Sequence, residues 1–339
     1  MTASFHLCVT HSPLVTRVFE AVVRRNEIPT TSIGYLSRRG TLFAGRGFPM
    51  DDVSDQLDLA YRKLDRKGYR ATQQRLDEAI RSLCGGSPFE AYVPHLNKML
   101  YQEVIGHPLC AGYSFLEEGC TSMTWDFRRN ARITGYKLLR DKLRHFWIRP
   151  RYQLTRPMFD PTLPHYRSAF AISRLAFRGI TGRVDVCPYL PPLPPGNPPG
   201  RIFLILDSSY LHQGLLWQNY EDAIVGVLRE GAPHACELLV KFHFADPKSA
   251  ERYQSLLARL GSSGFPSIQK LPGDFEIERN LTAADLLVFG TTSLGYYMTL
   301  AGCRSRCFAE RIQGFRIDDW IARGDMPEDF PTVVGSGSG

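Results

Sequence analysis

The stretch PYLPPLPPGNPPG, residues 188–200, decides how the chain divides. Seven of its thirteen residues are proline, which fixes φ and removes the backbone donor, so it forms neither helix nor central strand. It reads as a stiff, extended connector between residues 1–187 and 201–334. On its far side RIFLIL, residues 201–206, is an apolar run of strand length, and Asp207-Ser208-Ser209 leads on towards a helix near Tyr220 to Arg229. Further out, Glu237 to Phe242 predicts a strand, Pro247 to Leu260 a helix, Asp285 to Phe289 a strand and Leu294 to Ala301 a helix. The first half opens on the same plan: Phe5 to Val9 reads as a strand, His11-Ser12-Pro13 as a turn and Leu14 to Arg25 as a helix. Strands alternating with helices predict an α/β fold of two Rossmann-like domains, with parallel sheets facing a central cleft.

Composition bounds the function classes. Of 339 residues, 43% are hydrophobic and 22% charged, which suits two globular domains and excludes a disordered chain. No apolar run approaches the ~20 residues that span a bilayer. Met1 to Thr10 reads as a strand, without the basic start and long apolar segment of a secretory leader, so a cytoplasmic protein is expected. Gly335 to Gly339 repeats Gly-Ser and reads as an appended linker. The eight cysteines are scattered without a C-x-x-C pair, and neither His nor a second pair accompanies Cys303 and Cys307 at zinc spacing. Reduced, buried thiols are expected. The net charge of +7 calls for an anionic partner. Nine Lys or Arg lie between Arg128 and Arg151, interleaved with Leu139, Leu143, Phe146 and Trp147. That pattern fits either peripheral contact with an anionic inner membrane or an ordinary amphipathic helix packed on the domain.

In parallel sheets ligands gather beyond the carboxyl ends of the strands, and the chain's most polar clusters fall there. Glu117-Glu118-Gly119 follows a strand read from Ala111 to Leu116, where adjacent carboxylates suit a general base. Lys241-Phe242-His243 ends an apolar strand and places cations fit for a phosphate. Thr291-Thr292-Ser293 opens a helix, as an anion site or as a plain cap. Ser208 and Ser209 lie in another strand-to-helix loop and are further candidates for binding the nucleotide. The pairs Asp51-Asp52 and Asp318-Asp319 read as solvated, and no metal site is expected.

The order acidic-acidic-Gly (Glu117-Glu118-Gly119), then basic-x-His (Lys241 to His243), then Ser/Thr (Thr291 to Ser293) resembles that of bacterial GT-B sialyltransferases. These include lipooligosaccharide sialyltransferases and capsular polysialyltransferases. The opening through His11 and Ser12, and the run from Leu271 to Glu278, are similar too. Phe244 stands where that family has proline after the histidine.

The resemblance implies an inverting, metal-independent transferase with no cofactor, using a CMP-sugar donor and a glycan or glycolipid acceptor. Glu117 is then the general base. His243, with Thr292 and Ser293, steadies the departing phosphate, Lys241 and Thr291 complete the nucleotide site, and Glu278 holds the ribose or cytosine. His11, Ser12, Glu118 and Gly119 form a donor or acceptor loop. The alternatives are a Kdo, legionaminic or pseudaminic acid transferase, a UDP-sugar transferase of the same fold, or a basic nucleic-acid-binding protein. No zinc-finger, RRM or helix-turn-helix signature supports the last of these.

Overall fold

The structure, a computed structural model, describes residues 5–38, 45–119, 122–123, 135–151, 158–177, 180, 184–186, 193–196, 200–207, 209–212, 215–231, 236–243, 246–261, 264–273, 275–323 and 326–336. The chain separates into two compact units, Met1–Tyr189 and Leu190–Gly339.

In the first unit seven strands form one parallel sheet: β1 (Phe5–Thr10), β2 (Ile33–Ser37), β3 (Arg46–Pro49), β4 (Phe89–Val93), β5 (Cys110–Leu116), β6 (Tyr166–Ala171) and β7 (Val184–Val186). Their order is β3-β2-β1-β4-β5-β6-β7, so the direction of winding reverses between β1 and β4. Leu7, Val9, Leu36, Phe89, Ala91 and Phe115 are completely buried. Such unbroken apolar strands are what a sheet covered on both faces requires. The helix Pro13–Arg25 begins sharply. Ser12 is its N-cap, accepting from the Val15 amide at 3.4 Å, and proline fills the first helical position. Asp51 and Asp52 occupy the first turn of the helix Asp51–Lys63, where the dipole favours acidic groups.

The second unit repeats the plan with β8 (Ile202–Ile205), β9 (Leu238–Lys241), β10 (Ile268–Lys270), β11 (Leu286–Phe289) and β12 (Arg304–Cys307), all parallel, in the order β10-β9-β8-β11-β12. Its winding reverses between β8 and β11. The helices Trp217–Gly231, Ser249–Leu260 and Ser293–Leu300 lie within about three residues of their expected bounds. The closing helix Phe330–Ser336 runs through Gly335, so the sequence's linker-like end begins inside a helix.

Residues 188–192 and 197–199 of the proline-rich stretch lie outside the described residues. The part between them lies against the second unit: Pro194 O accepts from the Ala283 amide at 2.9 Å. At Gly200 a Cβ would come within 1.9 Å of Ala284 O, so only glycine permits this approach. Arg201 then donates to Asp285 through its amide at 2.7 Å and its guanidinium at 2.9 Å. Burial alone would raise the Asp285 pKa, but these donors outweigh it and hold the carboxyl below its usual range.

Six cysteines among the described residues (8, 84, 110, 236, 303 and 307) are free thiols; Cys120 and Cys187 lie outside. Burial pushes the thiols of Cys110, Cys303 and Cys307 up to about 12, which leaves them unreactive near neutrality. Among the described residues no helix is long and apolar enough to cross a membrane.

Candidate functional site

The reversal between β1 and β4 opens the crevice where parallel α/β sheets bind ligands. His11 follows β1, His95 follows β4 and Glu118 follows β5, and their side chains meet. His11 Nε2 lies 3.3 Å and His95 Nε2 3.4 Å from Glu118 Oε2. Glu118 is held in place by its own amide, which donates to Ser122 Oγ at 3.0 Å. Gly119 adopts φ 127°, a region closed to residues with a Cβ, and so allows the chain to turn away beneath it.

The adjacent carboxylates are both largely buried but meet different partners. Glu117 is completely buried, and its Oε2 accepts from the amides of Ile172 and Ser173, the latter at 3.0 Å. It clasps the tip of β5 to the tip of β6. The sequence reading made Glu117 the general base; in the structure the carboxylate beside the imidazoles is Glu118.

His95 was missed in the sequence. Its signal was a histidine, with Pro94, just past an apolar strand. Its ring packs edge-on against Tyr101 at 4.7 Å between centroids. Its Nδ1 accepts from the Asn97 amide at 3.1 Å, so in the neutral ring the proton resides on Nε2 and points at Glu118. His11 lies 6.3 Å from the same tyrosine ring, and its buried Nδ1 has no hydrogen-bond partner among the described residues. Arg38, just past β2, is also buried and donates to the Tyr101 hydroxyl at 3.4 Å. Tyr101 thus joins the two histidines to a guanidinium.

The ligand atoms of His11, His95 and Glu118 lie within 4.8 Å of one another, close enough to surround a divalent cation. The hydrogen bonding at His95 opposes that use. A metal-bound Nε2 needs its lone pair and a proton on Nδ1, whereas Nδ1 here accepts a hydrogen bond from the Asn97 amide. The trio is better suited to holding and moving a proton than to holding a metal.

At the corresponding reversal of the second sheet, Asp207 follows β8 and accepts from the Thr291 amide through Oδ2 at 2.6 Å. Thr292 is the N-cap of the helix Ser293–Leu300 and accepts from Leu294 at 3.3 Å, so this threonine serves as a cap. Thr291 and Ser293 are half-buried beside it. Lys241 ends β9, but its ammonium donates to Phe275 O and pins the loop after β10. His243 and Glu278 are half-buried, the first beyond β9 and the second in the short helix Ile277–Asn280. Ser209 begins the helix Ser209–His212, and Ser208 and Phe244 lie outside the described residues. The sequence-derived residues therefore fall into two groups, one at the carboxyl edge of each sheet.

No protein-family model matches the chain, and no curated protein matches it. Among solved structures it is similar to an α,α-trehalose-phosphate synthase (UDP-forming) from Burkholderia vietnamiensis, at 10% identity and TM-score 0.39, over 99% of this chain and 97% of that one. It is likewise similar to a UDP-GlcNAc 2-epimerase from Methanocaldococcus jannaschii, at 9% identity and TM-score 0.45, over 98% of this chain and 91% of that one. Likeness at this level says nothing of substrate or reaction. Two parallel α/β units in tandem, the domain plan expected of a GT-B protein, are what the chain contains.

Proposed function

We propose that the protein is an inverting glycosyltransferase that moves a nonulosonic acid from a CMP-activated donor to a glycan hydroxyl. Glu118 is the general base. The observation that carries this reading is the trio at the first reversal point, a carboxylate beside two imidazoles, one of fixed tautomer. Glu118 takes the proton of the acceptor hydroxyl as its oxygen bonds to the anomeric carbon. The bond from that carbon to the phosphate oxygen breaks, and CMP leaves with the electron pair. His95 donates to the carboxylate and orients it. The partnerless Nδ1 of His11 is an acceptor that can steer the incoming hydroxyl. Arg38, buried beside Tyr101 and paired with the exposed Asp55 at 3.5 Å, is the cation that would meet the carboxylate every nonulosonic acid bears.

Donor recognition falls to the second unit, with His243 and Ser293 at the leaving phosphate, and Thr291 and Glu278 near the nucleoside. The choice of CMP rests on the order of motifs, so the donor is tested directly. The protein is incubated with CMP-, UDP- and GDP-sugars and free nucleotide is measured. CMP release alone supports the reading. UDP release alone would keep the transferase and replace the donor; release from none of them, with a range of acceptors present, would defeat the proposal.

A further inference from the structure

We propose that the outward face of the helix Gly135–Ile148, together with Leu64, docks on an anionic phospholipid bilayer. This inference stands apart from the transferase reading. Leu139, Leu143, Phe146 and Trp147 recur at the spacing of a single helical stripe, which in a globular protein normally faces the core. Here they are 57%, 60%, 71% and 55% exposed, and Leu64 beside them is 45% exposed. The helix is nonetheless firmly seated by its other side. Ile148 is completely buried, Tyr61 OH lies 3.2 Å from His145 Nδ1, and Arg70 donates to Arg149 O at 3.1 Å. Trp147 Nε1 donates to Leu64 O at 3.1 Å, which fixes one edge of the stripe to the residue that ends the helix Asp51–Lys63.

Leu64, Arg140 and Arg144 complete an open groove of about 420 Å³ with these residues. Leu64 holds φ 61°, where glycine is the usual occupant, so an apolar side chain is kept on the surface despite backbone strain. Around the groove the charge is strongly basic. Arg62, Lys63, Arg66 and Lys67 are exposed on one side, and Arg140, Lys142 and Arg149 on the other. Among the described residues beside it the acidic groups are fewer: Asp141 offsets part of the charge of Arg140 at 3.5 Å and Arg144 at 3.7 Å, and Asp65 caps a helix by accepting from Gly68 at 2.9 Å. An apolar stripe with aromatic residues inside an arginine rim matches the interface between acyl chains and anionic headgroups. A second copy of the chain would bring two basic rims together and be repelled.

The test is co-sedimentation of the full chain with phosphatidylcholine vesicles, with and without roughly one-third phosphatidylglycerol. Binding is expected to the anionic vesicles, weakening as salt rises. Leu143→Glu with Phe146→Glu should lower bound protein at least tenfold. Arg140→Gln with Arg144→Gln should remove most of the preference for phosphatidylglycerol. Because these side chains are largely exposed or rim groups, melting temperatures should hardly change. Failure of the parent protein to bind anionic vesicles would overturn the proposal. So would binding that both paired variants leave unaltered, or an oligomer that Phe146→Glu disperses while vesicle binding persists.

Discussion

The two sheets present polar groups at equivalent reversal points and treat them differently. In the first unit, His11, His95 and Glu118 gather with a buried nitrogen still lacking a partner among the described residues. In the second, Asp207 accepts from the Thr291 amide and Thr292 caps the following helix. A closed set of hydrogen bonds holds a loop in shape; an incomplete one invites a substrate to finish it. On the proposed function, the first edge would carry the base and the second the nucleotide. The same contrast recurs one residue apart, where Glu117 is spent on two backbone amides and Glu118 faces the imidazoles.

That contrast can be broken most forcefully at Glu117. Glu117→Ala leaves two buried amides without an acceptor, at about 1–3 kcal/mol each, and should lower the melting temperature by roughly 5 °C or more. Glu118→Ala should change it far less, and calorimetry on the pair decides the matter. Equal losses would erase the distinction between clasp and base.

A sharper probe is the histidine that the sequence reading overlooked. His95→Ala removes the donor that orients Glu118 and should reduce donor turnover by about 10- to 100-fold, within the usual reach of an acid–base assembly. Unaltered turnover would leave His95 as packing against Tyr101. On the second unit, CMP is expected to raise the melting temperature of the parent protein; His243→Ala should abolish that rise, whereas Glu118→Gln should keep it. Loss of that rise in both variants would blur the division of labour between units.

The smallest effect expected is on pH dependence. His107 repeats the device seen at His95: its Nδ1 accepts from the amide two residues on, Leu109, at 3.1 Å. The His107 ring is buried. Burial, reinforced by Arg151 and Arg81 and opposed by Asp77, lowers it from 6.5 to about 4. Folding therefore favours the neutral ring. The stability this contributes is complete above about 6.5 and is lost as pH falls towards about 4. His107→Gln should flatten that part of the stability curve measured by urea unfolding, and an unchanged slope would assign it to other groups.

Much of this was legible in the sequence, for physical reasons. Runs such as Phe203 to Ile205 and Leu286 to Phe289 are apolar at every position because both faces of a parallel strand are covered, and a following Ser or Thr marks the helix start. Shorter or more polar strands gave no such signal: Arg46–Pro49, Ile268–Lys270 and Arg304–Cys307 owe their pairing to neighbours rather than to their own pattern. Glu117-Glu118 was visible as a pair at a strand tip. Which of the two faces the crevice was not, because that depends on Ile172 and Ser173, 55 and 56 residues away. His95 and Arg38 were hidden for the same reason: each is one polar residue after a strand until the sheet order brings both beside Tyr101. Lys241, read as a phosphate ligand, also donates from its ammonium to Phe275 O, a contact 34 residues away that its own stretch of sequence does not announce.

The central claim, that Glu118 and not its neighbour accepts the proton, is tested most directly by one assay. CMP release from a CMP-nonulosonic acid is followed for the parent, Glu117→Gln and Glu118→Gln under identical conditions. Glu117→Gln keeps an oxygen for the two amides and should retain turnover within about tenfold, while Glu118→Gln should lose roughly a thousandfold or more. The reverse ranking, or full activity in Glu118→Gln, would contradict it.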